Sequence, residues 1–264
     1  MNTKLEVLGK LLKSRGKAAV ALSGGLDSSA LLAFSAKTLG AENCIAITAN
    51  LPYSMGAEIA DAKNLCGSLG VRLLEIRRDT IPAEIENNPP DRCYLCKRAI
   101  FSELKAAAKN AGFPYVCDGT NADDLSDYRP GMRALKELEI ASPLLECGIG
   151  KQELRQLARE MRLKVAEKPA FACLLTRLEH GRKIETATLA KIDAFETFMR
   201  ANFTDNVRAR VEGGSVRLEC PPDAFEKIAR HAEAIAQKAY GLGFKRCSLD
   251  LGGYKRGSMN KVSQ

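Results

Sequence analysis

The residue types needed to hold phosphate groups occur together in one glycine- and serine-rich turn. Its sequence is Ser23-Gly24-Gly25-Leu26-Asp27-Ser28-Ser29. The glycines let the backbone approach an anion closely, the hydroxyls donate hydrogen bonds, and a helix that begins here presents free N–H groups. Asp27 would repel a phosphate unless a divalent cation lay between them, so we infer Mg²⁺. A plain strand-to-helix turn with a helix cap is the alternative.

Three cysteines have positions that could serve metal or sulfur chemistry. Cys93 and Cys96 are three positions apart at the start of a predicted helix, where we expect positive surroundings that favour thiolates. Such a pair fits a redox dithiol, half of a zinc site or part of an iron–sulfur site. Cys173 lies on a second loop, and three thiolates would converge if both loops met above the turn. They could then hold three irons of a four-iron cluster and leave one iron open.

Zinc is the alternative metal for these thiols. His180 follows Cys173 by seven residues and could complete a site of three cysteines and one histidine. The other six cysteines lack a paired spacing, so we interpret them as small apolar side chains. They are Cys44, Cys66, Cys117, Cys147, Cys220 and Cys247.

The elements that must position these residues have an α/β pattern. Between Leu5 and about Asn121, apolar runs of about four to six residues alternate with amphipathic stretches, which predicts a doubly wound parallel sheet. The predicted strands are 18–22, 44–48, 72–76 and 115–117, and the predicted helices are 5–16, 28–39, 57–69, 94–111 and 151–161. Asp118 follows the last strand at the carboxyl edge, where such sheets bind ligands. An ordinary Asp-Gly turn is the alternative.

A smaller second domain is predicted after Gly181. There a long helix leads to strand-like runs at 207–211 and 216–219, a helix over 222–240 and a last strand over 247–251. We expect a nucleotide-binding domain over 1–180 and a C-terminal α+β domain over 181–264 for substrate binding and oligomerisation. The proline-rich segment 81–92 is predicted to be a mobile loop that delivers Cys93.

Composition limits the class of protein. The 264 residues carry a net charge of +8, which favours anionic partners such as nucleotides. No apolar run approaches the length of a membrane span, and the N-terminus lacks the apolar stretch of a signal peptide, so we expect a cytoplasmic protein without a membrane partner. In a reducing cytosol, nine cysteines suit metal binding or catalysis better than disulfides.

The turn at 23–29 resembles the PP-loop signature SGGxDS of the ATP pyrophosphatase superfamily. The resemblance implies an enzyme that cleaves ATP between the α and β phosphates and adenylylates a substrate oxygen. Ser23, Gly25, Ser28 and Ser29 would then hold pyrophosphate beside Gly24, and Asp27 would bind Mg²⁺. Asp118 would be a second nucleotide or metal contact, and Lys97 and Arg129 would neutralise pyrophosphate.

Further motifs in the same order along the chain resemble the LarE family of ATP-dependent sacrificial sulfur transferases. They are Asp91-Arg92-Cys93-Tyr94-Leu95-Cys96-Lys97, Asp118-Gly119-Thr120-Asn121-Ala122-Asp123-Asp124, Tyr128-Arg129-Pro130-Gly131, Ser142-Pro143-Leu144, Lys168-Pro169 with Ala172-Cys173-Leu174, and Asp250-Leu251-Gly252-Gly253-Tyr254. The resemblance implies that a carboxylate of a pyridinium dicarboxylate mononucleotide is activated by ATP and converted to a thiocarboxylate, in biosynthesis of the nickel-pincer nucleotide.

The same resemblance implies roles for the thiols. Cys173 matches the cysteine that delivers sulfur in members that sacrifice their own side chain. Cys93 and Cys96 depart from that type and resemble a three-cysteine type, in which a [4Fe-4S] cluster carries the transferable sulfide. In that type the sulfur that recharges the site comes from a separate donor, and turnover can be catalytic.

Arg208 and Arg210 alternate on one face of a predicted strand, a spacing that lets both guanidiniums hold one phosphate. A solvated charged strand is the alternative. By the resemblance they would bind the substrate's 5′-phosphate, with Glu219 on the adjacent strand and Arg177 as a further candidate. The resemblance also implies a homo-oligomer, such as a hexamer.

Three other functions compete with sulfur transfer to a small nucleotide. Enzymes that 2-thiolate tRNA also combine a PP-loop with paired cysteines and a distant third, although this chain lacks an added RNA-binding domain and a strong Lys/Arg run, which disfavours nucleic acid. PP-loop synthetases that form amides need no thiol cluster. A nucleotide-binding module without activity would not convert ATP to pyrophosphate.

Overall fold

A computed structural model of the chain describes residues 3–126, 130–169 and 171–255. These residues form two compact units. Those within Met1–Glu84 and Asp91–Phe171 make the first unit, and those within Ile85–Pro90 and Ala172–Gln264 make the second. No helix in the described ranges is long and apolar enough to cross a bilayer.

The first unit contains a four-stranded parallel sheet. Its strands are β1 (Ala18–Ala21), β2 (Cys44–Asn50), β3 (Arg72–Arg77) and β4 (Val116–Cys117), in the order β3-β2-β1-β4. Strand β1 is therefore central, with β2 on one side and β4 on the other. Its short apolar sequence is nearly all buried, as expected for a strand covered on both faces.

Helices cover both faces of this sheet, which confirms the predicted α/β class. The helices of the first unit are α1 (Thr3–Arg15), α2 (Leu26–Leu39), α3 (Gly56–Leu69), α4 (Arg92–Asn110), α5 (Gly131–Glu137), α6 (Pro143–Glu146) and α7 (Lys151–Glu160). Helices α1, α2, α3 and α7 pack in one apolar cluster with Ala18 and Val20. Helices α4 and α5 pack in another with Ala19. Alternate residues of β1 thus support opposite layers.

The second unit has its own three-stranded sheet. Its elements are α8 (Thr186–Asn202), β5 (Arg208–Glu212), β6 (Ser215–Glu219), α9 (Phe225–Arg230), α10 (Ala232–Gly241) and β7 (Arg246–Leu249). Strands β5 and β6 are antiparallel, and β6 and β7 are parallel. The single helix expected over 222–240 is divided at His231, which separates α9 from α10.

Residues 85–90, the middle of the segment expected to be a mobile loop, belong to the second unit and are hydrogen-bonded within it. Asn88 is fully buried and donates from Nδ2 to the backbone carbonyls of Leu178, at 3.2 Å, and Glu179, at 2.8 Å. The amide of Ile184 donates to the carbonyl of Glu86 at 2.7 Å. The run Asn87-Asn88-Pro89-Pro90 predicts a flexible backbone, but the buried side-chain amide of Asn88 has two backbone partners and fixes the segment.

Candidate functional site

The glycine-serine turn connects the end of β1 to the start of α2. The backbone N–H of Ser23 donates to the hydroxyl of Ser28 at 3.2 Å, and the N–H of Gly25 donates to the hydroxyl of Ser23 at 3.3 Å. Gly24 has a φ of +79°, and a Cβ there would overlap the backbone carbonyl of Glu58. Only glycine fits this position, so the turn curls tightly at the start of α2, where the first N–H groups of a helix have no partner within the helix itself.

The end of β4 lies against the same helix start. A Cβ on Gly119 would be 2.7 Å from the backbone nitrogen of Ser28. Beside it, the buried carboxylate of Asp118 accepts hydrogen bonds from the hydroxyls of Thr120 and Ser142, the latter at 2.7 Å. Asp118 and the turn therefore lie close together at the carboxyl edge of the sheet, where the sequence predicts them.

Asp27 is held in place from the same edge. The side-chain amide of Asn121 donates to its Oδ2 at 3.0 Å. Asn121 is itself fully buried, and its backbone N–H donates to Asp124 at 3.2 Å. These contacts fix the orientation of the Asp27 carboxylate, whose oxygens are the ligand type that Mg²⁺ prefers.

A cavity of about 350 Å³ opens above the turn, a size that suits a small-molecule ligand. Both acidic and basic side chains line this cavity. The acidic residues are Asp27, Glu58, Asp118 and Asp124, and the basic residues are Lys97, Lys151, Arg155 and Lys168. Ser23, Gly25, Ser28 and Asp118 of the predicted nucleotide site belong to this lining. Ser29 is buried outside the lining, and its hydroxyl has no hydrogen-bond partner within the described ranges.

Several lining residues have no role in ATP binding assigned from the sequence. Lys151 and Arg155 are one turn apart on α7, and Arg155 also donates to the carbonyl of Ala166 at 2.6 Å. Lys168 pairs with Asp61 of α3 at 2.6 Å, and its Nζ lies 5.0 Å from the centre of the Phe171 ring. The spacing of Lys151 and Arg155 is the one signal that could have indicated a shared helix face.

Lys97 reaches the cavity as predicted. Its Nζ lies 5.7 Å from the centre of the Phe101 ring, and a Cβ on Gly131 would be 2.6 Å from its Cδ, so the neighbouring backbone confines its stem. Arg129, the other predicted pyrophosphate contact, lies outside the described residues.

The paired cysteines lie in the first turns of α4, at the helix start that the sequence predicts. Cys93 is exposed, whereas Cys96 is partly buried with its sulfur 3.1 Å from the hydroxyl of Tyr53. Burial raises the pKa of the Cys96 thiol, and Tyr53, Lys97 and Arg92 lower it by less. The expectation that the surroundings favour a thiolate is therefore wrong for Cys96, because desolvation outweighs the nearby positive charges.

Cys173, the third thiol, is exposed and precedes a short 3-10 helix, Leu174–Arg177, in the second unit. Arg177 is buried and forms a two-bond ion pair with Glu196 of α8, through Nε at 2.7 Å and Nη2 at 2.9 Å. Its Nη1 donates to the carbonyls of Ala172 and Cys173. All three guanidinium nitrogens thus contact protein groups. Glu196 carried no sequence signal, because a single glutamate in an amphipathic helix is ordinarily exposed.

Arg208 and Arg210 are both buried on β5. Arg210 pairs with Glu219 of β6 at 2.8 Å, and the guanidinium of Arg208 lies 4.8 Å from the centre of the Tyr254 ring. Burial, followed by the charge of Arg177, lowers the pKa of Arg208. The predicted neighbourhood of Arg208, Arg210 and Glu219 is present, and the crowded positive charge would be relieved by a bound anion.

Metal-binding potential is limited in the residues that the structure describes. Within 3–126, 130–169 and 171–255, no group of three or more His, Cys, Asp and Glu side chains is placed to hold one ion. Mg²⁺ needs only one or two carboxylates when substrate phosphates complete its shell, so the Asp27 edge fits it. The imidazole of His180 has its Nδ1 3.3 Å from the carbonyl of Asn88. Both the [4Fe-4S] cluster and the zinc alternative stay predictions.

Comparison with known proteins places this geometry in a family. The NAD synthase family model matches residues 2–100, which include the turn and the first three strands. Uncharacterized protein slr1717 of Synechocystis sp. is 34% identical, over 99% of this chain and 98% of that protein. Uncharacterized protein MJ0830 of Methanocaldococcus jannaschii is 35% identical, over 90% and 91%.

A third relative has a named activity. Pyridinium-3,5-bisthiocarboxylic acid mononucleotide synthase of Lactiplantibacillus plantarum is 32% identical, over 98% of this chain and 94% of that protein. The similarity therefore extends through both units and is not confined to the nucleotide-binding turn. By this relationship the chain belongs to the LarE family and is an ATP-dependent sulfur transferase.

Proposed function

We propose that this enzyme activates a carboxylate of pyridinium-3,5-biscarboxylic acid mononucleotide with ATP and converts it to a thiocarboxylate, in the biosynthesis of the nickel-pincer nucleotide. The observation that carries the proposal is the full-length similarity to the synthase of Lactiplantibacillus plantarum. The cavity above the turn supports the nucleotide-activating half, and exposed Cys93 and Cys173 support the sulfur-transferring half.

The first step is adenylylation. A carboxylate oxygen of the substrate attacks the α-phosphorus of ATP, the bond from that phosphorus to the bridging oxygen breaks, and pyrophosphate leaves. Ser23, Gly25 and Ser28 would hold the departing pyrophosphate, with Lys97 and Asp118 at the cavity wall. Asp27 would hold Mg²⁺, which stabilises negative charge as it develops on the phosphates. We also propose that Gly24, Ser29 and Arg129 help to hold the pyrophosphate.

The second step is sulfur transfer. A sulfur nucleophile attacks the acyl carbon, and AMP leaves with the electron pair of its bond to that carbon. Cys173 is the proposed source or carrier of this sulfur. As the source, its thiolate forms a thioester with the acyl group, and the Cβ–Sγ bond then breaks as the Cα proton leaves, which gives the thiocarboxylate and a dehydroalanine at position 173. Cys93, Cys96 and Cys173 are the proposed ligands of a [4Fe-4S] cluster, which when bound would supply a transferable sulfide at its open iron. Zinc is the alternative metal.

The remaining assignments concern the second unit. Arg208 and Arg210 would hold the substrate's 5′-phosphate, because two buried guanidiniums on one strand match a phosphate group. Glu219 would orient Arg210 for this contact through their ion pair. Arg177 is the further candidate for this phosphate, although each nitrogen of its guanidinium already donates to a protein group. We also propose that 1–180 is the nucleotide-binding domain and 181–264 the substrate and oligomerisation domain.

The test is to incubate the purified protein with ATP, Mg²⁺ and the dicarboxylate mononucleotide, and to measure pyrophosphate and the mass of the nucleotide product. We expect pyrophosphate release that depends on the nucleotide, and a product in which sulfur replaces oxygen. Asp27→Asn should slow pyrophosphate release at least about 100-fold, because a bound metal contributes several kcal/mol. Asp79→Asn, at an exposed ion pair with Arg77, is the control.

Other outcomes would contradict this function. Thiolation of tRNA in place of the nucleotide would select the RNA-modifying alternative. Full turnover by the Cys93→Ala/Cys96→Ala/Cys173→Ala variant with ammonia would select amide formation.

Cofactor content is tested separately. Protein prepared without oxygen should contain about four irons per chain with acid-labile sulfide and absorb broadly in the visible range. Colourless protein with one zinc per chain would contradict the cluster and support the site of three cysteines and His180.

A further inference from the structure

The ion pair between Arg177 and Glu196 is the most deeply buried one that the structure describes in the second unit. Both side chains have 0% exposure. Taking two charges out of water is costly, so a pair of this kind is retained where its geometry is needed. What it contacts therefore indicates its use.

At one end, the pair fixes the backbone on both sides of the Cys173 side chain. Nη1 of Arg177 donates to the carbonyl of Ala172 at 2.9 Å and to the carbonyl of Cys173 at 3.3 Å. The same carbonyl of Cys173 accepts the N–H of Thr176 at 3.0 Å. The peptide groups around Cys173 are thus held to a buried guanidinium, while the thiol stays exposed.

At the other end, the pair is attached to the strand with the proposed phosphate-binding arginines. Glu196 Oε1 accepts the backbone N–H of Ala209 at 2.8 Å, and Ala209 lies between Arg208 and Arg210 on β5. Arg210 also donates to the carbonyl of Thr176, the residue before Arg177. One hydrogen-bonded network therefore joins the Cys173 backbone to β5.

We propose that Arg177 and Glu196 are positioning residues for sulfur transfer: they fix the thiol of Cys173 at a set distance from the part of β5 that holds the substrate phosphate. This inference rests on the proposed function, and it gives Arg177 a role through the protein instead of a direct contact with substrate. Lysine could not replace Arg177, because its single ammonium cannot form the two parallel bonds to Glu196 and still reach the carbonyls.

The test measures coupling between the two steps. In Arg177→Lys and Glu196→Gln, measured with saturating mononucleotide, sulfur transfer should be impaired more than the adenylylation that precedes it. The ratio of thiocarboxylate formed to pyrophosphate released should fall by about tenfold to 100-fold, the effect expected when a reacting group is misplaced by about 1 Å. A purely structural role would lower the amount of active enzyme and leave this ratio unchanged.

Two further measurements accompany the ratio. Hydrogen exchange of the peptide over 172–178 should accelerate at least about threefold in Arg177→Lys, because the carbonyl contacts that hold it are lost. Arg182→Lys, at an exposed ion pair with Glu179 in the next part of the chain, should change neither the exchange nor the ratio. The hydrogen-exchange measurement needs only folded protein, so it can be made without substrate.

The outcomes separate this inference from the proposed function. If the wild-type protein releases no pyrophosphate with the mononucleotide, the proposed function fails, and the exchange experiment still tests the restraint on the Cys173 segment. If the wild type is active and Arg177→Lys keeps both the wild-type ratio and the wild-type exchange rate, the positioning role is overturned.

Discussion

At the scale of single residues, Glu196 shows how a buried carboxylate can remain charged. Burial alone would raise the pKa of Glu196. The ion pair with Arg177, the N–H of Ala209 and the nearby Arg200 outweigh burial and hold that pKa below its ordinary value. A carboxyl whose pKa is lower in the folded than in the unfolded state contributes stability above its unfolded pKa and loses that contribution as the pH falls.

Glu196→Gln should therefore change how stability depends on pH. The wild-type protein should lose unfolding free energy as the pH falls from about 4.3 toward the lowered pKa of Glu196. The variant should be less stable by about 3–5 kcal/mol at pH 7, because Arg177 keeps a buried charge without its carboxylate, and its acid dependence should be shallower. Urea unfolding at several pH values measures both. Parallel curves for variant and wild type would contradict the argument, and Glu226→Gln, at an exposed pair with Arg230, is the control.

At the scale of elements, close backbone contact between β4 and α2 builds the floor of the cavity. Gly119 follows β4, and any side chain there meets the backbone nitrogen of Ser28 in the first turn of α2. Strand order places β4 next to β1, so the Asp118 edge and the glycine-serine turn become neighbours. The floor of the cavity thus depends on Gly119, which the sequence identifies only as part of a motif.

Gly119→Ala should destabilise the protein by about 1–3 kcal/mol and weaken ATP binding, because backbone cannot move as a flexible side chain can. Gly67→Ala is the matched control. Gly67 is exposed within α3, and no atom lies within 4 Å of the Cβ it would gain. That variant should be more stable than wild type by about 0.5–1 kcal/mol. Thermal unfolding and ATP titration calorimetry distinguish the two, and equal effects of both substitutions would be inconsistent with the close approach.

At the scale of the whole molecule, the two units carry different parts of the proposed reaction. The nucleotide-binding turn and its cavity belong to the first unit, and the buried arginines of β5 belong to the second. Residues 85–90 belong to the second unit, although the segments on both sides of them belong to the first. Substrate binding and ATP binding should accordingly respond to different substitutions.

Arg208→Lys/Arg210→Lys should raise the KM for the mononucleotide about tenfold or more, since each charge-assisted hydrogen bond contributes about 1.5–3 kcal/mol. The Kd for ATP should stay within about twofold of wild type, a change below about 0.5 kcal/mol. Steady-state kinetics and calorimetry measure the two constants. Arg246→Lys, at an exposed position on β7, is the control. A matching loss of ATP affinity would show that the two binding functions are not separate.

Features that depend on neighbours along the chain can be predicted without coordinates. Apolar runs predicted all four strands of the first sheet to within a few residues. The glycines and serines of 23–29 predicted the turn, and Asp118 was expected near it because parallel strands end at one edge. The short helices α5 and α6 were missed, since four to seven residues give too little periodicity.

Contacts between groups far apart in the chain could not be predicted in this way. Glu196 pairs with Arg177 across 19 positions, Lys168 with Asp61 across 107, and Tyr53 contacts Cys96 across 43. Each pairing changes chemistry: a carboxylate stays charged in the interior, a cation is held beside the cavity, and a thiol is desolvated. Local patterns record the period of a helix or strand, whereas these contacts depend on how packed layers bring side chains together, and packing has no local signature.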